Sequence, residues 1–361
     1  MSDFGRCFLP GPTDVRPEIY AATARTMFFH RGPQMLALLK EIQPSLQEMF
    51  GTTRPVFTAA SSATGMMETA IRNGVHDRVA VVTGGFFGEM FARVAEACGK
   101  EVVRIGVPYG MAITAEQLDQ MLDGPEVDAV AMVHSESGTG ALADLAALGP
   151  VIRKRKDLVW MVDAVTAAGA TKLEAEAWGV DFMFTGSQKA LALPPGLALG
   201  VASERFVARA REVEGRGYYF DILTFVEEAE TGLFAHTVPI PLYIGLQQQV
   251  RDIAATGGWP ARWARHAEML AVLEEWVEGR PRMSLLAPPG RRSPAISAIK
   301  VGEEVDPLAL VKDLFAQGYQ VGTGLGSLSK EVFRIGHMGD LTPDHLRALL
   351  AAVDSLIPVH A

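Results

Sequence analysis

The sequence predicts an α/β protein with a large domain on a mostly parallel central sheet and a smaller C-terminal α+β domain. Three observations carry this. Short apolar runs alternate with helical stretches from residue 79 to residue 202, and the later runs are nearly continuous in apolar residues, as strands covered on both faces are. The pattern breaks at "ATGGWP" (255 to 260), beyond which a different order of elements follows. The 361 residues, 48% of them hydrophobic, exceed what one core holds, since single cores stop growing at roughly 250 to 300 residues.

Residues 1–15, rich in Gly and Pro, read as an extended arm, residues 16–256 as the large domain and residues 257–361 as the small one. "VAVVT" (79 to 83) is a strand, "FGEMFARVAEACG" a helix, "EVVRIGV" (101 to 107) a strand, and "TAEQLDQML" a helix opening on Thr114. The runs "DAVAMV" (128 to 133), "LVWMV" (158 to 162), "DFMFT" (181 to 185) and "LALGVA" (197 to 202) are strands of the sheet interior. After the long amphipathic "ARWARHAEMLAVLEEWVEG" come strand "AISAIKV", helix "PLALVKDLFAQG", strand "VFRIG" and a last helix, with Thr342 as N-cap and Pro343 at its first position.

The formal net charge of -9, spread without a run of like charges, argues against nucleic acid or an anionic membrane as partner. Cys7 and Cys98 are too few for a disulfide framework and have no metal spacing, which points to a reducing compartment. Neither a signal-like apolar segment nor an apolar run of about 18 residues occurs, so a cytoplasmic protein is expected.

Ligands of parallel sheets bind at the carboxyl ends of the strands. Four strands end there in polar or glycine-rich segments: "TGGFFG", "HSESGTG", "DAVTAAG" and "GSQK". Taken alone, Asp163 reads equally as a strand-end cap and Lys189 as an exposed turn lysine. At one edge of one sheet they suit pyridoxal 5'-phosphate. The lysine amine forms a Schiff base with its aldehyde, and the aspartate keeps its pyridine nitrogen protonated. Burial lowers the pKa of a lysine, so its amine acts as nucleophile and then as base.

"VDAVTAAG", followed 26 positions after its Asp by "GSQKALALPPG", closely resembles the class V aminotransferases of fold type I, above all their alanine-glyoxylate, serine-glyoxylate and serine-pyruvate branch. The likeness extends from "PGPTDVRPEI" and "HRGP" through "SSATGMMETAI", "HSESGTG" and "YYFDI" to "VFRIGHMGDLT". It implies that Lys189 anchors the cofactor, that Asp163 pairs with the pyridinium, that Val165 packs under the ring and that Phe87 stacks over it. It further implies that Ser137 meets the phenolic oxygen and the substrate, and that Thr64, Gly65, Met66 and Gln188 hold the phosphate. Backbone N–H groups at a helix start suit such an anion. "FAHTVP" resembles the segment in which a Tyr and a Thr reach the phosphate of the neighbouring subunit; Thr237 is kept, but Phe234 stands at the tyrosine position.

Arg334 is the expected carboxylate clamp, because a planar guanidinium offers two parallel hydrogen bonds. "GTGLGSLSK" before it reads as a flexible loop, and His30 and His337 are left out of the chemistry. The resemblance implies ping-pong transamination from alanine or serine to glyoxylate or pyruvate in a homodimer with shared sites. Alternatives are another class V enzyme, either a β-lyase or a phosphonate-type aminotransferase, and a nicotinamide-dependent dehydrogenase. "VVTGGFFGEMF" argues weakly for the last, since Thr83 stands where a first glycine belongs.

Overall fold

The computed structural model describes residues 5–124 and 126–357; residues 1–4 of the expected arm lie outside that range. The apolar runs form one seven-stranded sheet, ordered Phe57–Ala59, Ala198–Ala202, Phe182–Gly186, Val159–Asp163, Ala129–Val133, Arg78–Thr83, Glu101–Gly106. The last five in this order pair in parallel, and Ala198–Ala202 runs antiparallel to both of its neighbours. Residues 187–197 leave no room for a crossover helix, so the chain returns beside Phe182–Gly186 in the opposite direction. That tight return carries Lys189.

Every residue of Val159–Asp163 and Phe182–Gly186 is buried. Alternation along the strands sends Trp160, Val162 and Met183 to one face, against Leu118 and Leu148 of the helices Ala115–Leu122 and Leu145–Arg153. Met161, Phe182 and Phe184 pack on the other face against Met66, Phe91 and Phe206 of Ala63–Gly74, Phe86–Ala97 and Glu204–Glu212. Each such side chain contributes roughly 1.5–3 kcal/mol. The strands that deliver the site are therefore anchored on both sides.

The second sheet is ordered Arg6–Phe8, Tyr319–Thr323, Val332–Gly336, Ile296–Lys300, Ser284–Leu285. Helices Gly258–Glu278, Pro307–Ala316 and Pro343–Leu356 close its core through Met269, Leu273, Leu314, Leu346 and Leu349. Thr342 caps the last helix in a reciprocal capping box with His345, and Thr114 caps Ala115–Leu122 in one with Gln117.

The segment "GTGLGSLSK" is more ordered than expected. Gly322 and Thr323 pair with Arg334 and Phe333, and Gly326–Lys330 forms a 3-10 helix. Gly322 is required here because a Cβ would lie 2.7 Å from Pro10 Cδ. At Gly336 it would lie 2.1 Å from the Leu9 carbonyl oxygen. These two glycines let the arm cross the second sheet and reach the first.

Candidate active site

Asp163 closes the strand Val159–Asp163, in register with Phe184 of the next strand. Three residues beyond that neighbour, the chain turns through Ser187, Gln188 and Lys189. The turn is held from several directions. Ser187 Oγ donates to the Pro194 carbonyl (2.7 Å), and the Thr13 N–H and Oγ1 donate to the Gln188 and Lys189 carbonyls, both at 3.1 Å. Arg262 Nε and Nη2 both reach the Ala190 carbonyl, while its Nη1 pairs with Asp340 at 2.8 Å. Ala192 has φ of 52°, a left-handed conformation that non-glycine residues adopt only when their surroundings enforce it. The lysine is thus fixed by its backbone as well as its burial.

Lys189 is 8% exposed, and its Nζ donates to the Pro10 carbonyl of the arm. Gly11 lies so close that a Cβ would fall 2.7 Å from Lys189 Cδ. Desolvation lowers the lysine pKa to about 8, against the opposing pull of Asp163. Burial pushes Asp163 up to about 7, with the Val165 N–H, which donates to its Oδ1 at 2.8 Å, acting the other way. The second oxygen of Asp163 accepts no hydrogen bond within the described residues, although the carboxyl lines the cleft.

Lys189, Asp163, Val165, Phe87, Ser137, Gln188 and Thr64 line one cleft, which encloses about 460 Å³ up to its open mouth. Lys189 Nζ lies 5.9 Å from the centre of the Phe87 ring. Ser137 Oγ is 2.5 Å from Thr166 Oγ1 at the cleft wall, a hydrogen bond in which either hydroxyl can donate. Arg334 stands behind Ser137. Its Nε donates to the Thr323 carbonyl (2.7 Å) and its Nη1 to the Ser137 carbonyl (2.8 Å), leaving Nη2 without a protein acceptor within the described residues. Burial lowers the guanidinium to about 10, which leaves it charged at neutral pH.

The other expected phosphate contacts lie at the helix start and on a separate loop. The Met66 side chain is fully buried in the core, so the contact expected of it falls to its backbone N–H in the first turn, and Met67 lines the cleft. The Gly65 N–H already donates to the Ser62 carbonyl (3.0 Å), although Ser62 caps the helix Ala63–Gly74 with no side-chain bond, leaving its start open to an anion. Thr237 is exposed and does not line the cleft of its own chain. Phe234 is buried edge-on against Tyr243, with ring centres 5.6 Å apart. His337 is buried, its Nε2 2.9 Å from Ser297 Oγ.

Residues not singled out from sequence complete the site: Thr166, Pro10, Gly11, Thr13, Arg262 and Glu136. The Glu136 carboxylate accepts the N–H groups of Phe87 and Gly88 at 3.0 and 3.1 Å. This also disposes of the glycine-rich turn as a dinucleotide site, because the donors at that helix start are committed to a protein carboxylate.

The residues fit pyridoxal phosphate: an amine of lowered pKa, a free carboxylate oxygen, a flat ring and an open helix start converge on one cavity. A likeness to the crystal structure of an alanine–glyoxylate aminotransferase from Nostoc sp. agrees, with TM-score 0.93, 28% identity and coverage of 99% of this chain and 96% of that one. The fold is that of the fold type I pyridoxal-phosphate transferases.

Residues 18–338 match the family model described as Aminotransferase class-V, and the chain belongs to that family, whose members use pyridoxal phosphate. It is 30% identical over 350 residues to the L-aspartate–glyoxylate aminotransferase of Paracoccus denitrificans, spanning 95% of this chain and 88% of that protein. Over 364 residues it is 28% identical to the serine–glyoxylate aminotransferase of Methylorubrum extorquens, spanning 96% and 89%. Among the described residues no helix is long and apolar enough to cross a membrane.

Proposed function

We propose that this chain transfers an amino group from a small amino acid, alanine or serine, to glyoxylate or pyruvate, with pyridoxal phosphate joined to Lys189. The juxtaposition of buried Lys189 and Asp163 with the charged Arg334 carries this reading. The three relatives named above pair different donors with glyoxylate, which favours glyoxylate as the first acceptor to test.

When bound, the cofactor supplies an electron sink for the bond broken at the substrate Cα. Asp163 would hold the ring nitrogen, and a cation there would draw its raised pKa back down. Phe87 and Val165, which line the same cleft, would hold the ring, and the first turn of Ala63–Gly74 together with Gln188 would receive the phosphate. Arg334 takes the substrate carboxylate, aligning the Cα–H bond with the Lys189 amine. With a pKa of about 8, that amine is in part neutral near neutral pH and can accept the substrate Cα proton and hold it at Nζ. The arm at Pro10 and Gly11 covers the lysine from solvent.

The reading includes a homodimer. Exposed Met27, Phe29, Leu36 and Leu233 lie on the chain near the Thr237 loop, and closed two-fold dimers are the commonest assembly. Covered by a second copy, that loop would deliver Thr237 to the partner's phosphate. The division into an arm at 1–15, a large domain at 16–256 and a small one at 257–361 belongs to the same reading. So does a cytoplasmic location, which the free Cys7 and Cys98 suit.

The test is a panel of amino donors against glyoxylate and pyruvate with cofactor-loaded protein, read as oxo acid formed. Alanine or serine with glyoxylate is expected to turn over, with parallel-line kinetics. Borohydride is expected to erase the visible absorption and leave the cofactor on Lys189. Full turnover by Lys189→Ala would end the proposal.

A further inference from the structure

Glu136 is 7% exposed, and no step described so far uses it. Its carboxylate sits just outside the lining of the cleft, in the adjoining cavity, and accepts three hydrogen bonds where Asp163 accepts one. Oε2 accepts from the N–H groups of Phe87 (3.0 Å) and Gly88 (3.1 Å), and Oε1 from that of Gly138 (2.9 Å). Two glycines make room for it: a Cβ at Gly85 would lie 2.4 Å from Glu136 Cγ, and one at Gly138 would lie 3.1 Å from Oε1. Extended backbone at Gly85 (φ 174°) is open to any residue, so contact with this side chain is what calls for glycine there.

The bonds tie together pieces that are far apart in sequence. One end of the carboxylate holds the start of the helix Phe86–Ala97, and with it the ring facing Lys189. The other end holds the turn after Ser137, whose carbonyl receives Arg334 Nη1 at 2.8 Å. The charged groups that face Glu136 are Arg334 from the strand Val332–Gly336, Asp163 from Val159–Asp163, and Lys189 from the turn.

We infer that Glu136 is the positioning residue of this cleft: it sets the Phe87 ring and the Arg334 guanidinium in one frame and supplies the negative charge that balances Arg334 and Lys189 before substrate arrives. The inference rests on the transamination reading for its purpose but not for its measurement. Burial raises the Glu136 carboxyl above the usual carboxylate range, and against that the three N–H donors and Arg334 favour the ionised form. A glutamine turns its own N–H₂ toward donors, and an aspartate, one methylene shorter, keeps the charge but loses the span.

The experiment compares wild type, Glu136→Gln and Glu136→Asp in two ways. In cofactor-free protein, reductive methylation of Lys189 by formaldehyde and cyanoborohydride is followed against pH by mass spectrometry of its peptide. Affinity for pyridoxal phosphate is measured separately by visible absorption. Wild-type labelling is expected to have a midpoint of about 8. In Glu136→Gln it is expected to fall by about one pH unit, since losing a facing negative charge disfavours the ammonium. In Glu136→Asp it stays within about 0.3 unit, because the charge remains. Both variants are expected to bind the cofactor about tenfold more weakly, as the ring and its helix lose a fixed seat.

An unshifted midpoint in Glu136→Gln, or equal shifts in both variants, overturns the inference. If Glu136→Gln does not fold, wild-type cofactor affinity in Glu136→Asp overturns it and the tenfold loss supports it. A shifted midpoint in protein that never joins the cofactor leaves the brace standing and removes the transamination reading. Cofactor capture with no shift does the reverse.

Discussion

Asp163 and Lys189 stand at the end of, or just beyond, strands in which every residue is buried, whereas Thr64 at the cleft, and Tyr219 and Thr237 outside its lining, are exposed. The floor is dry and held by one chain. Thr13, Arg262 and Pro10 fix the lysine turn, and the neighbours of Asp163 leave it one free oxygen. The rim is held more lightly: Tyr219 makes one hydrogen bond to the Ala60 carbonyl (2.9 Å) and lies against His236. Groups whose chemistry depends on a shifted pKa need the low-dielectric interior, while groups that select a donor or retain a phosphate work from the surface.

The sharpest way to break this comparison is at the floor. On the proposed reading Lys189→Ala removes both the covalent anchor and the proton carrier, so turnover is expected to fall on the order of 10⁴-fold while non-covalent cofactor binding persists. Steady-state rates with alanine and glyoxylate, together with retention on a desalting column, measure the two separately. A loss below about tenfold would mean that another base carries the proton.

Asp163→Asn is next, with an expected loss of about 10²- to 10³-fold, typical of removing one preorganised electrostatic partner. It also has a pH signature. The rate at which cofactor-free protein captures pyridoxal phosphate requires the neutral amine, so it rises with pH through about 8 in wild type. Asp163 favours the ammonium, so its removal moves that midpoint down. Stopped-flow absorbance between pH 6 and 10 reads the shift, and a midpoint moving upward would contradict the assigned electrostatics.

Arg334 joins floor and rim, because its backbone belongs to the second sheet and its guanidinium to the first site. Arg334→Gln is expected to raise KM for the oxo acid by about 10- to 100-fold, the effect of one charge-assisted hydrogen bond, with a smaller change in kcat. Equal losses in kcat and in kcat/KM would instead place its action in the transition state.

The same contrast decides what could be read from the chain. The interior strands were legible because burial on both faces writes a continuous apolar run, and Asp163, Lys189 and Arg334 stood out as charges next to such runs. Tyr319–Thr323 was missed because its burial is partial and it carries a glycine whose reason, the Pro10 ring, lies over 300 residues away. Glu136, Thr13 and Arg262 act through contacts 48, 176 and 72 residues distant in sequence, and no local pattern marks these. Motif spacing located the floor. Only packing showed how it is fixed.

The smallest expected effect lies wholly at the rim, at Phe234. The family resemblance places there a tyrosine that reaches the phosphate of a neighbouring copy, whereas here the ring is buried against Tyr243 and only its backbone carbonyl is used, by Arg31 Nε at 2.6 Å. Phe234→Tyr adds one hydroxyl. If a second copy brings its phosphate to this ring, the hydroxyl finds an acceptor and cofactor affinity is expected to rise about threefold, within the usual net value of one hydrogen bond. If the ring stays in the core of its own chain, the hydroxyl is buried without a partner, and the melting temperature falls with no gain in affinity. Equilibrium dialysis of the cofactor and a melting curve on the same preparation separate the two outcomes. The second outcome would show that this chain keeps its cofactor through the helix start at Ala63 and through Gln188 instead, moving phosphate retention from the shared rim to the single-chain floor.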